Sequence, residues 1–166
     1  MSLALAADVD DRPPVALDSL LAIGVGLASA PSSLTLPLDP VGSARAYSRL
    51  LATDAYEAWL LAWPPGSAIA PHDHGASHGV FVVVSGALME TRYDHLARQR
   101  RVVGPGDAVV VPVGVVHEVS ARGPVAALSV HVYSPCLTEM RFFDERGQVV
   151  AVEPVAEESA GPGTPA

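Results

Sequence analysis

Two stretches decide the fold: Gly66-Ser67-Ala68-Ile69-Ala70-Pro71-His72-Asp73-His74, and further on Gly106-Asp107-Ala108-Val109-Val110-Val111-Pro112-Val113-Gly114-Val115-Val116-His117. The first follows the breaker Pro64-Pro65-Gly66 and should run extended. Side chains at i and i+2 of a strand share a face, so His72 and His74 point one way and Asp73 the other. In the second, Ala108 to Val111 lies between the turns Gly104-Pro105-Gly106-Asp107 and Pro112-Val113-Gly114, and a strand from Val115 to Ser120 carries His117. A His-x-His pair alone is a weak sign of metal. His117, on a later strand, is a third candidate imidazole to weigh with the pair.

Outward from these stretches, Tyr56 to Trp63, Val80 to Val84, Ala87 to Tyr93, Val125 to Tyr133 and Met140 to Phe143 read as further strands, separated by Gly- and Pro-rich turns. The fold class is therefore all-β, a sandwich or barrel, and 166 residues make one domain. A helix is predicted from about Ala16 to Ala30, with Asp18 or Ser19 available as its cap, although Gly24 and Gly26 are poor helix residues. The division is 1–40 for the helical segment and the turn-rich connector Pro31 to Pro40, 41–152 for the barrel with the metal site, and 153–166 for a disordered tail of Glu, Pro, Gly, Ala and Ser.

The net charge is −8 and all ten cations are arginine, which argues against nucleic acid and anionic membrane surfaces as partners. Arg98, Arg100 and Arg101 form a basic cluster, read as a solvated hairpin loop. The lone Cys136 cannot form an internal disulfide, which suits a reducing cytoplasm. The apolar stretch Leu20 to Ala30 ends in Ala28-Ser29-Ala30, but the acidic residues before it do not suit a secretory signal, and no run is long enough to span a membrane.

The spacing of Gly66, His72, His74 and Gly86, followed by Gly106, Pro112, Gly114 and His117, resembles the two motifs of the cupin family. That resemblance implies a single jelly-roll-like cupin β-barrel. Gly79 stands where most cupins carry a glutamate ligand. Three neutral imidazoles leave the full dipositive charge on the metal, which favours an anionic ligand such as a thiolate. They also leave coordination positions open on a six-coordinate iron. Zinc with three histidines and a water is the competing reading of the same ligands.

Further segments resemble bacterial cysteine dioxygenases: Tyr47-Ser48-Arg49, Trp63-Pro64-Pro65-Gly66, His72 through Gly79, Gly86 with Glu90-Thr91-Arg92-Tyr93, the His117 motif, and Ser129-Val130-His131-Val132-Tyr133-Ser134-Pro135. The resemblance implies a non-haem Fe(II) centre, held by His72, His74 and His117, that inserts both atoms of dioxygen into a small thiol to give a sulfinate. It implies that Arg49 holds the substrate carboxylate, with Tyr47 beside it, and that Ser129, His131 and Tyr133 form a hydrogen-bonded catalytic relay. Spacing supports the relay independently, because i, i+2 and i+4 share a strand face and Val130 and Val132 would then cover the other. Mammalian members carry a cysteine cross-linked to the relay tyrosine; Gly79 occupies that position, so no such cross-link is expected here.

Other residues carry plainer readings. His78 is as well suited to a strand end as to the pocket, and His95 reads as exposed surface. Trp59 and Trp63 read as core, Arg141 as an exposed arginine and second carboxylate candidate, and Cys136 as packing. The activity implied is oxidation of L-cysteine by dioxygen to cysteine sulfinate. The alternatives are the same chemistry on 3-mercaptopropionate or another thiol, a zinc or manganese isomerase or hydrolase, and a non-catalytic ligand-binding cupin. Arg45 lies close enough to Arg49 in sequence to be the carboxylate cation in its place.

Overall fold

The structure, a computed structural model, describes residues 13–30, 44–94 and 97–155, and the backbone of 161–162. The connector Pro31 to Pro40 and His95 lie outside these residues. One helix, α1 (Leu17–Ala28), precedes twelve strands: β1 (Ala46–Ala52), β2 (Glu57–Trp63), β3 (Ala68–Asp73), β4 (His78–Ser85), β5 (Leu88–Tyr93), β6 (Arg98–Val103), β7 (Ala108–Val111), β8 (Val116–Ala121), β9 (Ala127–Ser134), β10 (Glu139–Phe143), β11 (Val149–Pro154) and β12 (Gly161–Pro162). They form two six-stranded antiparallel sheets, ordered β12-β1-β2-β9-β4-β7 and β11-β10-β3-β8-β5-β6. The architecture is the all-β jelly-roll expected from the sequence, built as a sandwich of two sheets.

Strand alternation builds two apolar layers. Trp59, Leu61, Trp63, Phe81 and Val83 project between the sheets with Val109, Val111 and Val119. Their neighbours Ala58, Leu60, Val80, Val82, Val130 and Val132 project to the other face of the first sheet. There α1 covers them, with Leu20 fully buried and Gly24 close enough that an added Cβ would lie 3.4 Å from Val82. This explains why β2 is buried along its whole length: both of its faces are covered. Gly86 turns β4 into β5 at φ +70°, where a Cβ would stand 2.6 Å from the Ala127 backbone, so only glycine fits.

The structure corrects several sequence readings. The N-cap of α1 is Ala16 and no side chain caps it; Asp18 lies within the first turn. Arg98, Arg100 and Arg101 belong to β6, an edge strand whose first five residues are exposed, so no buried face marks them as a strand. Strands β1 and β11 were not read as strands. β11 carries Glu153 and Pro154 out of the supposed tail, because they pair with Met140 and Glu139 of β10. The tail residues 156–160 and 163–166 lie outside the described residues. Among the described residues no helix is long and apolar enough to cross a membrane.

Candidate metal centre

The register of β3 with β8 sets His72 directly opposite His117, and His74 follows at the end of β3. The ring centroid of His72 is 5.3 Å from that of His74 and 4.6 Å from that of His117, and the last two are 5.1 Å apart. One ligand atom from each ring lies within 4.8 Å of the others, and this is the only such group among the described residues. Asp73 points away as expected, but it is buried. Its Oδ1 accepts from the Gly75 backbone at 3.1 Å and from Arg141 Nε at 2.9 Å. Arg141 on β10 thus holds the ligand strand from behind.

The hydrogen bonds decide which nitrogens are free. His72 Nδ1–H donates to the Ala70 carbonyl at 2.8 Å, and His117 Nδ1–H donates to Glu90 Oε1 at 3.1 Å. Their Nε2 lone pairs therefore face inward. His74 Nε2 stands 3.4 Å from His117 Nε2. Two nitrogens bound to one ion at about 2.1 Å sit roughly 3 to 3.5 Å apart, so the spacing fits a shared cation. Burial, followed by repulsion among the rings, pushes the pKa of His72 and His74 well below the ordinary histidine value, leaving the neutral, ligating form.

Glu90 is the carboxylate that the sequence reading did not place. It is fully buried on β5, diagonal to His117 on β8, and also accepts from Arg92 Nε at 3.1 Å and Arg101 Nε at 2.5 Å. Burial alone would raise its pKa. Hydrogen bonds from His117 and Arg101 and the charge of Arg92 outweigh that and hold it at about 2. Only its presence in the segment resembling cysteine dioxygenases pointed to it.

Along β9, Ser129, His131 and Tyr133 all face inward and are buried. Ser129 Oγ lies 2.9 Å from His131 Nε2, and His131 Nδ1 lies 3.2 Å from the Tyr133 hydroxyl. Trp63 Nε1–H donates to Ser129 Oγ at 2.8 Å, which makes this residue more than core. Burial, with His117 and Arg45 adding positive potential, lowers His131 to about 3. Burial and the charge of Glu57 push the Tyr133 phenol up, so it keeps its proton. Gly79 pairs with Tyr133 across the sheet. A Cβ there would lie 2.8 Å from His74 Nδ1 and 3.2 Å from Tyr133 Cε1, so glycine lets the two rings meet.

The three histidines, His131 and Tyr133 open on one cavity of about 290 Å³. Its walls are otherwise mostly apolar, with Tyr47, Leu61, Ile69, Met140 and Phe142 among them, and Glu153 to Val155 complete one side. Arg45 enters this cavity with its guanidinium 5.3 Å from the Trp63 ring centre. Burial lowers its pKa, and it has no carboxylate partner among the described residues.

A model of the family described as cysteine dioxygenase type I matches residues 38–146, nearly two thirds of the chain. The chain belongs to the cysteine dioxygenase type I family. Solved structures show the same cupin fold. KdgF from a Halomonas species is 25% identical, at a TM-score of 0.51 over 58% of this chain and 85% of its own. An oxalate oxidase solved with glycolate is 20% identical, at a TM-score of 0.56 over 65% of this chain and 59% of its own. A cupin superfamily protein from Desulfitobacterium hafniense is 13% identical, at a TM-score of 0.50 over 58% and 83%.

Within this cysteine dioxygenase type I chain, one residue named from the resemblance falls elsewhere. Arg49 does not line the cavity; its guanidinium sits over Trp59 at 5.6 Å and lies 3.9 Å from Glu57. Buried Glu57, opposite Ala52 at the far end of β1, draws Arg49 towards itself. Tyr47 does line the cavity, edge-on to Trp59 at 5.9 Å. His78 accepts from the Val113 backbone at 3.3 Å, a strand-end contact. Cys136 Sγ–H donates to the Thr53 carbonyl at 3.3 Å and is not a wall of the cavity.

Proposed function

We propose that this protein is a ferrous thiol dioxygenase that converts L-cysteine and dioxygen to cysteine sulfinate. The observation that carries this reading is convergence: three imidazoles, an arginine with no carboxylate partner among the described residues and a protonated tyrosine face one small cavity. The reaction, RSH + O2 → RSO2H, places both oxygen atoms on sulfur and needs no other reductant. Iron, held by His72, His74 and His117, would supply the redox chemistry that lets dioxygen react with a thiol.

The chain's own residues bind and orient. Arg45 takes the substrate carboxylate, since a half-buried guanidinium with no counter-ion among the described residues is a ready anion site. Apolar walls exclude water and fix the thiol near the imidazoles. Tyr133, held by His131, offers its hydroxyl as a hydrogen-bond donor to the reacting groups, since burial keeps the phenol protonated. Lone Cys136 and the reduced thiol substrate are both suited to a reducing cytoplasm.

Anaerobic loading with Fe(II), followed by L-cysteine and air, should consume one dioxygen per thiol and yield cysteine sulfinate by mass. Comparison of kcat/KM with 3-mercaptopropionate, which shares the carboxylate but lacks the amine, tests the choice of thiol. No oxygen uptake with either compound would sink the reading.

A further inference from the structure

Every metal ligand needs something to hold its ring, and the three do not have equal support. His72 is held by a backbone carbonyl, while His74 Nδ1 is buried without a hydrogen-bond partner among the described residues. His117 alone is held by a charged group, Glu90, which is 0% exposed. A buried carboxylate is costly unless its lone pairs are filled. Arg92 and Arg101 fill the remaining ones from β5 and β6, and Arg92 reaches on to the Val110 carbonyl.

We infer that Glu90 is a positioning residue of the metal centre: through His117 it returns, one bond removed, the carboxylate charge that Gly79 leaves out of the ligand set. The inference rests on the three histidines being metal ligands, and it concerns how the third is oriented and charged. By accepting from Nδ1–H, Glu90 fixes the tautomer that leaves Nε2 free and makes that nitrogen more basic. Its negative charge also offsets part of the cation's charge without occupying a coordination position, so the open positions stay available to substrate. Arg92 and Arg101 keep it ionised and fixed in place. A merely structural Glu90 would do something different, serving as the counter-ion that ties the arginines of β5 and β6 together.

The test uses the full chain and Fe(II) alone. Glu90→Gln keeps size and removes charge; Arg101→Gln removes a partner of Glu90 but leaves its bond to His117. Both should fold by circular dichroism and lose some thermal stability. Glu90→Gln should weaken Fe(II) affinity, measured anaerobically against a competing chelator, by about tenfold to a hundredfold. It should also raise the Fe(III)/Fe(II) midpoint potential, since less negative charge disfavours the ferric state. Arg101→Gln should weaken affinity less than Glu90→Gln does, because Arg92 still holds the carboxylate against His117. Equal affinity in Glu90→Gln and wild type overturns the inference while leaving the metal reading intact. A wild-type chain that binds no Fe(II) overturns both. Nitrogen-15 spectra of the zinc-loaded wild type need no variant: His117 should carry its proton on Nδ1, and metal bound through Nδ1 instead overturns the inference even if Glu90→Gln does not fold.

Discussion

Trp63 has one hydrogen to donate and no acceptor, and that asymmetry polarises the relay on β9. Ser129 Oγ accepts from Trp63, which favours the arrangement in which its own proton goes to His131 Nε2. In that tautomer His131 Nδ1–H faces the Tyr133 hydroxyl and the phenol proton is left for the cavity. Trp63→Phe keeps the apolar bulk and removes the bias. It should cost about 1–3 kcal/mol of stability, as for a lost buried hydrogen bond, and lower kcat more than it changes KM. An unchanged kcat would show that the relay needs no anchor. The choice between the arginines is settled at the same scale. Arg45→Ala should raise KM for L-cysteine by roughly tenfold to a hundredfold, the worth of a charge-assisted hydrogen bond, while Arg49→Ala leaves it nearly unchanged. The reverse result would return the carboxylate to Arg49.

At the level of elements, the three-histidine cluster depends on β3 staying in register between β10 and β8, and Asp73 with Arg141 is the clasp on the β10 side. Arg141→Met leaves Asp73 a buried carboxylate with only the Gly75 backbone as partner, so stability should fall by about 1–3 kcal/mol. Fe(II) affinity should weaken with it, because His72 and His74 flank Asp73; a chelator competition that shows no change would separate the clasp from the site. What could be read from sequence follows the same logic. β2 and β4 are covered on both faces and carry long apolar runs, β9 alternates valines with the polar residues of the relay, and the two histidine stretches sit between turns that glycine and proline mark. β6 and β11 are edge strands with little buried face, so no alternation announced them. β1 carries a register shift between Arg49 and Leu51, and nothing in its spacing told which arginine enters the cavity. Trp63 and Glu90 act through partners far along the chain, which local pattern does not record.

For the molecule as a whole, burying neutral imidazoles in one interior ties stability to pH. An unfolded histidine titrates near 6.5, whereas burial holds His131 at about 3 and keeps His72 and His74 well below their ordinary value. Between those limits the unfolded chain binds protons that the folded chain refuses, so stability of the metal-free protein rises with pH and is lost on acidification. Each such histidine contributes a slope of about 1.4 kcal/mol per pH unit, and three acting together give roughly 4. Glu90 adds the same sign lower down: its stabilisation is complete above the ordinary carboxyl range and fades as pH falls towards about 2. Urea midpoints of the metal-free chain should therefore be flat above pH 7 and drop steeply from about 6.5 downward. His131→Phe lowers the plateau, since it strands Ser129 and Tyr133, yet it should remove about a third of the slope. The slope is the deciding readout, because lost packing shifts the whole curve and only a lost titrating group flattens it. A midpoint that holds steady from pH 7 to pH 5 would mean that these rings take up protons in the folded state, and a protonated cluster could not ligate a cation.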